Sequence, residues 1–277
     1  MIEGKTKIVR RDPEVLSEAD REHKHVVTWK DKFSEPMDGK GNWSNTTNAN
    51  ICEILRHSGL PVAFLHTTGP NTDRTLYCDM IPLEVIVRGQ IDPESSYLER
   101  NPRVPVGVPL DEPLVEFFLK TDGPEWKGKH LPDTDPFITR YKEDVGIWVH
   151  HSKKPVTRGG EIFISAELLG WNKDGMWPFE QLEVMARRSF GIVRDAFRLY
   201  DFNLKDWKEE YGFGPDGQLL HSDSYDNDIW RLEDKDGKEY SKQVIRIHGV
   251  EGIEDSKADY AYIAHLTGEM LRLVRQT

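Results

Sequence analysis

Hydrophobic positions are distributed differently in the two halves of the chain. In the first half, short runs at 26–30 (VVTWK), 62–68 (VAFLHTT), 76–89 (LYCDMIPLEVIVRG) and 113–120 (PLVEFFLK) are rich in β-branched and aromatic residues, which predicts strands. One helix interrupts them. Residues 44–59 begin with capping residues, set Ile51, Ile54 and Leu55 on one face, and stop at Gly59 with Pro61 behind it. The second half carries longer helices: 178–202 starts with Pro178 at a first-turn position, and Leu182, Met185, Ile192, Val193 and Phe197 form an apolar stripe. Residues 255–277 open on an Asp/Ser cap and end in arginines that suit a helix C-terminus. Between these helices, 204–232 reads as strand, Gly/Pro turn, strand and an acidic stretch.

Composition narrows what such a chain can do. With 277 residues, 37% of them hydrophobic and 10% aromatic, it can bury a large core in one or two domains. No stretch approaches the roughly 18 to 20 apolar residues of a membrane span, and MIEGKTKIVRR lacks the apolar core of a secretory signal. A cytoplasmic protein is expected. Cys52 and Cys78 have no neighbouring Cys or His at zinc-ligand spacing and read as small hydrophobes. The sequons at Asn42 and Asn45 are then inert. A net charge of −11 repels nucleic acid and anionic membranes on average, so a phosphate ligand would need a local cluster of cations.

Four stretches offer such chemistry. In LKDWKEEYG (204–212), an extended backbone sets Asp206, Lys208 and Glu210 on one face, suited to a cleft; the alternative is a solvated helix end pairing Asp206 with Glu210. Asp223 follows on the returning strand, and two carboxylates on neighbouring strands suit Mg²⁺, which completes its shell with water and phosphate. The stretch that holds it, DSYDNDIWRL (223–232), crowds three aspartates into six positions, either as a solvated loop or as a cage for a cation and its ligand. EGKTK (3–7), read as a strand, places Lys5 and Lys7 on one face, facing phosphates or simply solvent. Arg88 ends a long apolar strand, where it could fork onto a phosphate or carboxylate, or form a salt bridge with Glu84 or another acid; Lys120 ends another.

Taken in order, EGKTK, IPLEVIVR, PLVEFFLKTD followed by Asp135-Pro136, DWKEEYG, DSYDNDIWRL and KQVIR resemble the signatures of the SAICAR synthetase (phosphoribosylaminoimidazole-succinocarboxamide synthase) family over most of the chain. The resemblance implies an α+β, two-lobed fold with ATP between a β-rich N-terminal lobe (1–83) and a mixed α/β C-terminal lobe (84–277). It also implies an ATP-dependent ligation of L-aspartate to the carboxylate of carboxyaminoimidazole ribonucleotide (CAIR) in purine biosynthesis. Carried over by position, Glu210 and Asp223 would bind Mg²⁺–ATP, Lys5, Lys7 and Lys120 would neutralise its phosphates, and Met80 to Leu83 would edge the adenine. Arg88, Ser96 and Arg231 would hold the ribonucleotide phosphate and carboxylate. Asp206 and Lys208, with Glu210 the catalytic set, would meet the imidazole side, and Asp135, Lys242 and Arg246 the part of the site nearer aspartate. Asp226 and Asp228 would accept backbone or arginine hydrogen bonds, and Trp230 would pack in the core. The partners are small molecules, without nucleic acid or membrane, and a homo-oligomer is open.

The chain also departs from the family's pattern. After Arg88, GQIDPESSYLERNP has two extra residues and Ser95 where the family has glycine; Tyr211 replaces Phe, SKQ stands for DKQ or DKD, 30–41 is shorter, and GPEWKGKHLPDT precedes Asp135. These departures motivate two alternatives: a carboxylate–amine ligase with a different nucleotide or amino acid, and a non-catalytic nucleotide-binding protein. Retention of Lys5, Lys7, Glu210 and Asp223 together speaks against the second.

Overall fold

Gly4, Lys5 and Thr6 do not continue a strand; they turn the chain between strands Ile2–Glu3 and Lys7–Arg11, with the Gly4 amide donating to the Lys7 carbonyl at 2.8 Å. The computed structural model describes residues 1–29, 33–141, 145–156, 162–170 and 177–276; Lys30 and Thr277, the ends of an expected strand and helix, lie outside them. The chain packs as two units. The first comprises Met1–Met80, Arg188–Trp207 and Tyr211–Thr277, and the second Ile81–Arg187 and Lys208–Glu210. The chain thus leaves the first unit three residues before the expected division at 83 and returns to it at Arg188, so much of 84–277 packs with the N-terminal residues.

In the first unit, five antiparallel strands lie in the order Ile2–Glu3, Lys7–Arg11, Glu18–His23, Thr72–Leu76, Phe64–Gly69. The central strand, EADREH, buries Ala19, Arg21 and His23 and turns the alternate residues outward, so its period of two survives with charged residues on the inner face. Helix Lys40–His57 starts four residues before the capping pattern predicted. The chain enters it through Gly39 at φ 85°, and Gly41 lies so close beneath the His23 carbonyl that a Cβ would sit 2.3 Å from its oxygen. Helix Glu251–Val274 packs along it; Asn50 Nδ2 donates to the Ala264 carbonyl at 3.3 Å and to Thr267 Oγ1 at 3.1 Å. Val27, Trp29, Met37, Ile245, Ile253 and Tyr260 form a core cluster in this unit.

In the second unit, five antiparallel strands run in the order Ile162–Ser165, Gly146–His150, Phe137–Thr139, Pro109–Leu119, Leu83–Gln90. The run expected as one strand over 76–89 is broken. Its Asp79–Met80 portion pairs with Tyr211–Phe213 in the first unit, and a new strand begins at Leu83, because Pro82 has no N–H with which to continue a ladder. Among the described residues, no helix is long and apolar enough to cross a membrane. Helices and mostly antiparallel sheets together give the expected α+β class.

Candidate active site

Within the first unit, antiparallel pairing of residues 202–207, the larger part of strand Phe202–Glu209, with Trp230–Asp234 sets Asp206 opposite Arg231. Asp206 is buried and its Oδ2 accepts from Arg231 Nη1. Lys242 precedes the short helix Gln243–His248, whose first turn carries Arg246 one step further round, its amide donating to the Lys242 carbonyl at 3.1 Å. Burial pushes Arg246 below the usual arginine range, and the Arg231 charge adds to the effect, so the two guanidinium groups feel each other. Burial likewise lowers Lys242, against the pull of Asp228. Asp206, Arg231, Lys242 and Arg246 therefore share one electrostatic neighbourhood, and three cations in it suit an anionic ligand.

The acidic stretch divides its three aspartates between two jobs. Asp223 Oδ1 accepts from Lys7 Nζ and from the Ser224 amide at 2.8 Å, so the first residue of a strand meets a residue 216 positions away. Lys5 stands exposed at the preceding turn. Asp226 meets the expectation, its Oδ1 accepting from the Asp228 backbone amide at 2.9 Å, but the cation between Asp226 and Asp228 is the buried Lys40 rather than an arginine. Lys40 Nζ donates to Asp228 Oδ2 at 3.0 Å and Tyr260 Oη to Asp228 Oδ1 at 2.6 Å. Lys242 Nζ stays 3.9 Å from Asp228 Oδ1 and donates to Thr28 Oγ1 at 3.2 Å. Burial would raise Asp228, yet Lys242, Lys40 and the Tyr260 hydrogen bond together hold it far below the carboxylate range. Trp230 packs edge-on against Phe197 at 5.6 Å, in the core as expected.

Met80 is 43% exposed and, with Arg11, Tyr77, Cys78, Phe213 and Gly214, lines a cavity of about 560 Å³ in the first unit. The Arg11 guanidinium lies 4.5 Å over the Tyr77 ring. Leu83 is instead a buried strand residue of the second unit.

In the second unit, Glu210 is buried and bridges two lysines, its Oε1 accepting from Lys208 Nζ at 2.9 Å and its Oε2 from Lys120 Nζ. Lys208 also donates to Glu84 at 2.8 Å, while the acid that meets Arg88, as the sequence alternative of a salt bridge allowed, is Glu116. Arg88 pairs through Nε with Glu116 Oε2 at 2.7 Å, and its Nη2 donates to Ser96 Oγ at 3.3 Å. The two residues expected at a phosphate are thus adjacent despite the longer loop. Glu116 Oε1 takes Arg100 as well. Ser95 has φ −75° and ψ 133° and caps Ser96–Arg100 through the Tyr97 amide at 3.1 Å, so this backbone needs no glycine. Asp135, at φ 50°, accepts from the Thr121 amide at 2.7 Å while its own amide donates to Thr121 Oγ1 at 3.0 Å, a reciprocal clasp one residue after Lys120.

Expected site residues thus fall into both units: Lys5, Lys7, Met80, Asp206, Asp223, Arg231, Lys242 and Arg246 in the first, Leu83, Arg88, Ser96, Lys120, Asp135, Lys208 and Glu210 in the second. Sequence reading missed Lys40, Tyr260, Arg100 and Glu116. A lysine at the mouth of a helix and a tyrosine within an apolar stripe carry no signal until the fold brings an acid to them. Among the described residues, no group of three or more His, Cys, Asp and Glu is arranged to hold a metal ion.

A family model for SAICAR synthetase matches residues 1–134 and 165–260. The phosphoribosylaminoimidazole-succinocarboxamide synthase of Chloroflexus aurantiacus is 32% identical over 274 residues, covering 97% of this chain and 95% of that protein. The protein of the same name from Roseiflexus castenholzii is 33% identical over 273 residues, 96% and 95% of the two chains. A solved structure described as SAICAR synthetase (Type-2) in complex with ADP superposes with a TM-score of 0.74 at 25% identity, covering 96% of each chain. SAICAR synthetase from Pyrococcus horikoshii shares the fold at a TM-score of 0.71 and 23% identity, over 95% of this chain and 97% of that one.

Proposed function

This chain belongs to the SAICAR synthetase family, and from that premise we propose that it joins L-aspartate to the carboxylate of CAIR, consuming ATP and releasing SAICAR, ADP and phosphate. The observation that carries the reading is the convergence of Arg231, Lys242 and Arg246 beside Asp206, a cationic group fit for carboxylate-bearing substrates. A CAIR carboxylate oxygen attacks the γ-phosphorus and the bond to ADP breaks. The amine of L-aspartate then attacks the acyl phosphate carbon, gives up a proton, and phosphate departs as the amide forms.

Several negative groups meet in both steps, and fixed cations must offset their repulsion. We assign the nucleotide phosphates to Lys5, Lys7 and Lys120, the adenine edge to the Met80 to Leu83 segment, and the ribonucleotide phosphate to Arg88 and Ser96. Asp206 and Lys208 face the imidazole, Arg231 the ribonucleotide's anionic groups, and Asp135, Lys242 and Arg246 the aspartate side. The enzyme works in the cytoplasm on small molecules.

Asp223 and Glu210 suit Mg²⁺ in the way a nucleotide-borne ion requires. Asp223, paired with Lys7, and Glu210, paired with Lys120, are the carboxylates that would hold it, each beside a lysine assigned to the phosphates. When bound, the ion would supply charge neutralisation at the transferred phosphoryl group.

The test is ADP release, expected only when CAIR and L-aspartate are both present; release with another amine or nucleotide, and none with this pair, would replace the substrates. Glu210→Gln is expected to lower kcat by roughly a thousandfold, the scale of losing a transition-state electrostatic group. Because Glu210 is buried and bonded to two lysines, that variant also loses stability, contrary to what an exposed carboxylate would give. Unchanged turnover would remove Glu210 from the reaction.

A further inference from the structure

Lys242 lies within reach of an acid and yet is not bonded to it. Its Nζ stands 3.9 Å from Asp228 Oδ1, beyond the roughly 2.7–2.9 Å of a charge-assisted hydrogen bond. It donates instead to Thr28 Oγ1 at 3.2 Å, and two other helices occupy the oxygens of the acid. Lys40, the first residue of Lys40–His57, puts a fully buried ammonium on Asp228 Oδ2 at 3.0 Å and neutralises the carboxylate. Tyr260, from the middle of Glu251–Val274, caps Oδ1 at 2.6 Å with a neutral donor; burial and the neighbouring Asp228 hold its hydroxyl protonated, well above the usual tyrosine range. The Lys40 charge also repels Lys242. Neither group can swing aside, since both are about 1% exposed.

We propose that Tyr260 and Lys40 are positioning residues which, by satisfying Asp228, keep the Lys242 ammonium available to the carboxylates of the amino-acid substrate. Neither touches substrate. Their effect passes through Asp228, and if either were absent Lys242 would close onto the acid and be lost to the ligand. The identity of that ligand as L-aspartate rests on the proposed function; the restraint on Lys242 rests on the geometry alone.

Tyr260→Phe keeps the ring in the core and removes only the hydroxyl. The expected result is a rise of about tenfold in KM for L-aspartate, the scale of one lost charge-assisted contact, with kcat at saturation and KM for ATP within about twofold. Lys242→Met should raise KM for L-aspartate as well, and the double variant Tyr260→Phe/Lys242→Met should raise it no further, because both remove one interaction. An unchanged KM for L-aspartate, an equal rise for ATP, or additive losses would overturn the proposal. If the wild type releases no ADP with CAIR and L-aspartate, the substrate reading fails by itself. The restraint on Lys242 is then read from equilibrium binding of sulfate to wild type and Tyr260→Phe: weaker binding by the variant supports it, and equal affinity, including none in either, overturns it.

Discussion

Asp73, fully buried, and Asp228, mostly buried with its side chain 11% exposed, are both aspartates of the first unit, both held ionised, and both tied to partners far along the chain. They differ in what surrounds them. Asp73 is enclosed by planar donors: Arg21 Nε at 3.2 Å from each oxygen and Nη2 at 3.1 Å, His23 Nε2 at 2.9 Å and Asn48 Nδ2 at 3.2 Å, all within one sheet and the helix covering it. Burial pushes its carboxyl up, and Arg21 and His23 bring it back below the ordinary value. Asp228 is served by a compact ammonium and a hydroxyl, and a second ammonium is held at 3.9 Å. A rigid guanidinium fork fixes geometry, whereas the ammonium held off at 3.9 Å, Lys242, stands on a flexible stem and can change partner. The first arrangement therefore reads as scaffold and the second as a place where charge can be transferred to a ligand.

The sharpest way to break that contrast is Asp73→Asn. It strands a buried guanidinium and should cost roughly 3–5 kcal/mol, the range for removing one partner of a buried ion pair. Turnover per folded molecule should stay within about twofold. A stable but inactive Asp73→Asn would put this cluster in the reaction and erase the distinction.

Lys40→Met comes next. It leaves Asp228 short of one cation that Lys242 can replace, so the expected loss is nearer 3 kcal/mol by urea unfolding, at the low end of that range, accompanied by a raised KM for L-aspartate. Loss of stability without the KM change would make Asp228 a second Asp73.

The smallest effect is a pH slope. Burial pushes His23 below its ordinary value near 6.5, with Asp73 pulling the other way. The unfolded chain then takes up the proton first, so stability is fully present above about pH 6.5 and is lost as pH falls toward the folded-state value. Thermal unfolding followed downward from neutral pH should show this decline, and His23→Asn should flatten it. A decline unaffected by that change would place the titrating group elsewhere.

These same clusters explain which parts of the fold were legible. EADREH was not recognised as a strand because its inner face carries Arg21 and His23, and only Asp73, fifty residues on, makes such a face tolerable in a core. The helix start was misplaced for a related reason. Asn45, which looked like a cap, sits inside the helix and spends its amide on the carbonyls of Gly69, Pro70 and Thr72. Where residues stand close in sequence, they also meet in the fold: Lys208 donates to Glu210, two positions on, and Arg88 to Ser96, eight positions away. The partners that lock these groups, Glu116 for Arg88 and Lys40 for Asp228, are set by sheet and helix packing, which no periodicity records.

The partition of the chain also constrains its synthesis. As the ribosome delivers residues in order, the segment 1–80 emerges with Lys7 and Lys40 already in place, while Asp223 and Asp228 follow 216 and 188 positions later. A nascent N-terminal segment must therefore hold its lysines in water until almost the last helix has been made, and a transcript cut short before that point would yield a polypeptide whose buried cations have no counter-charge to fold around.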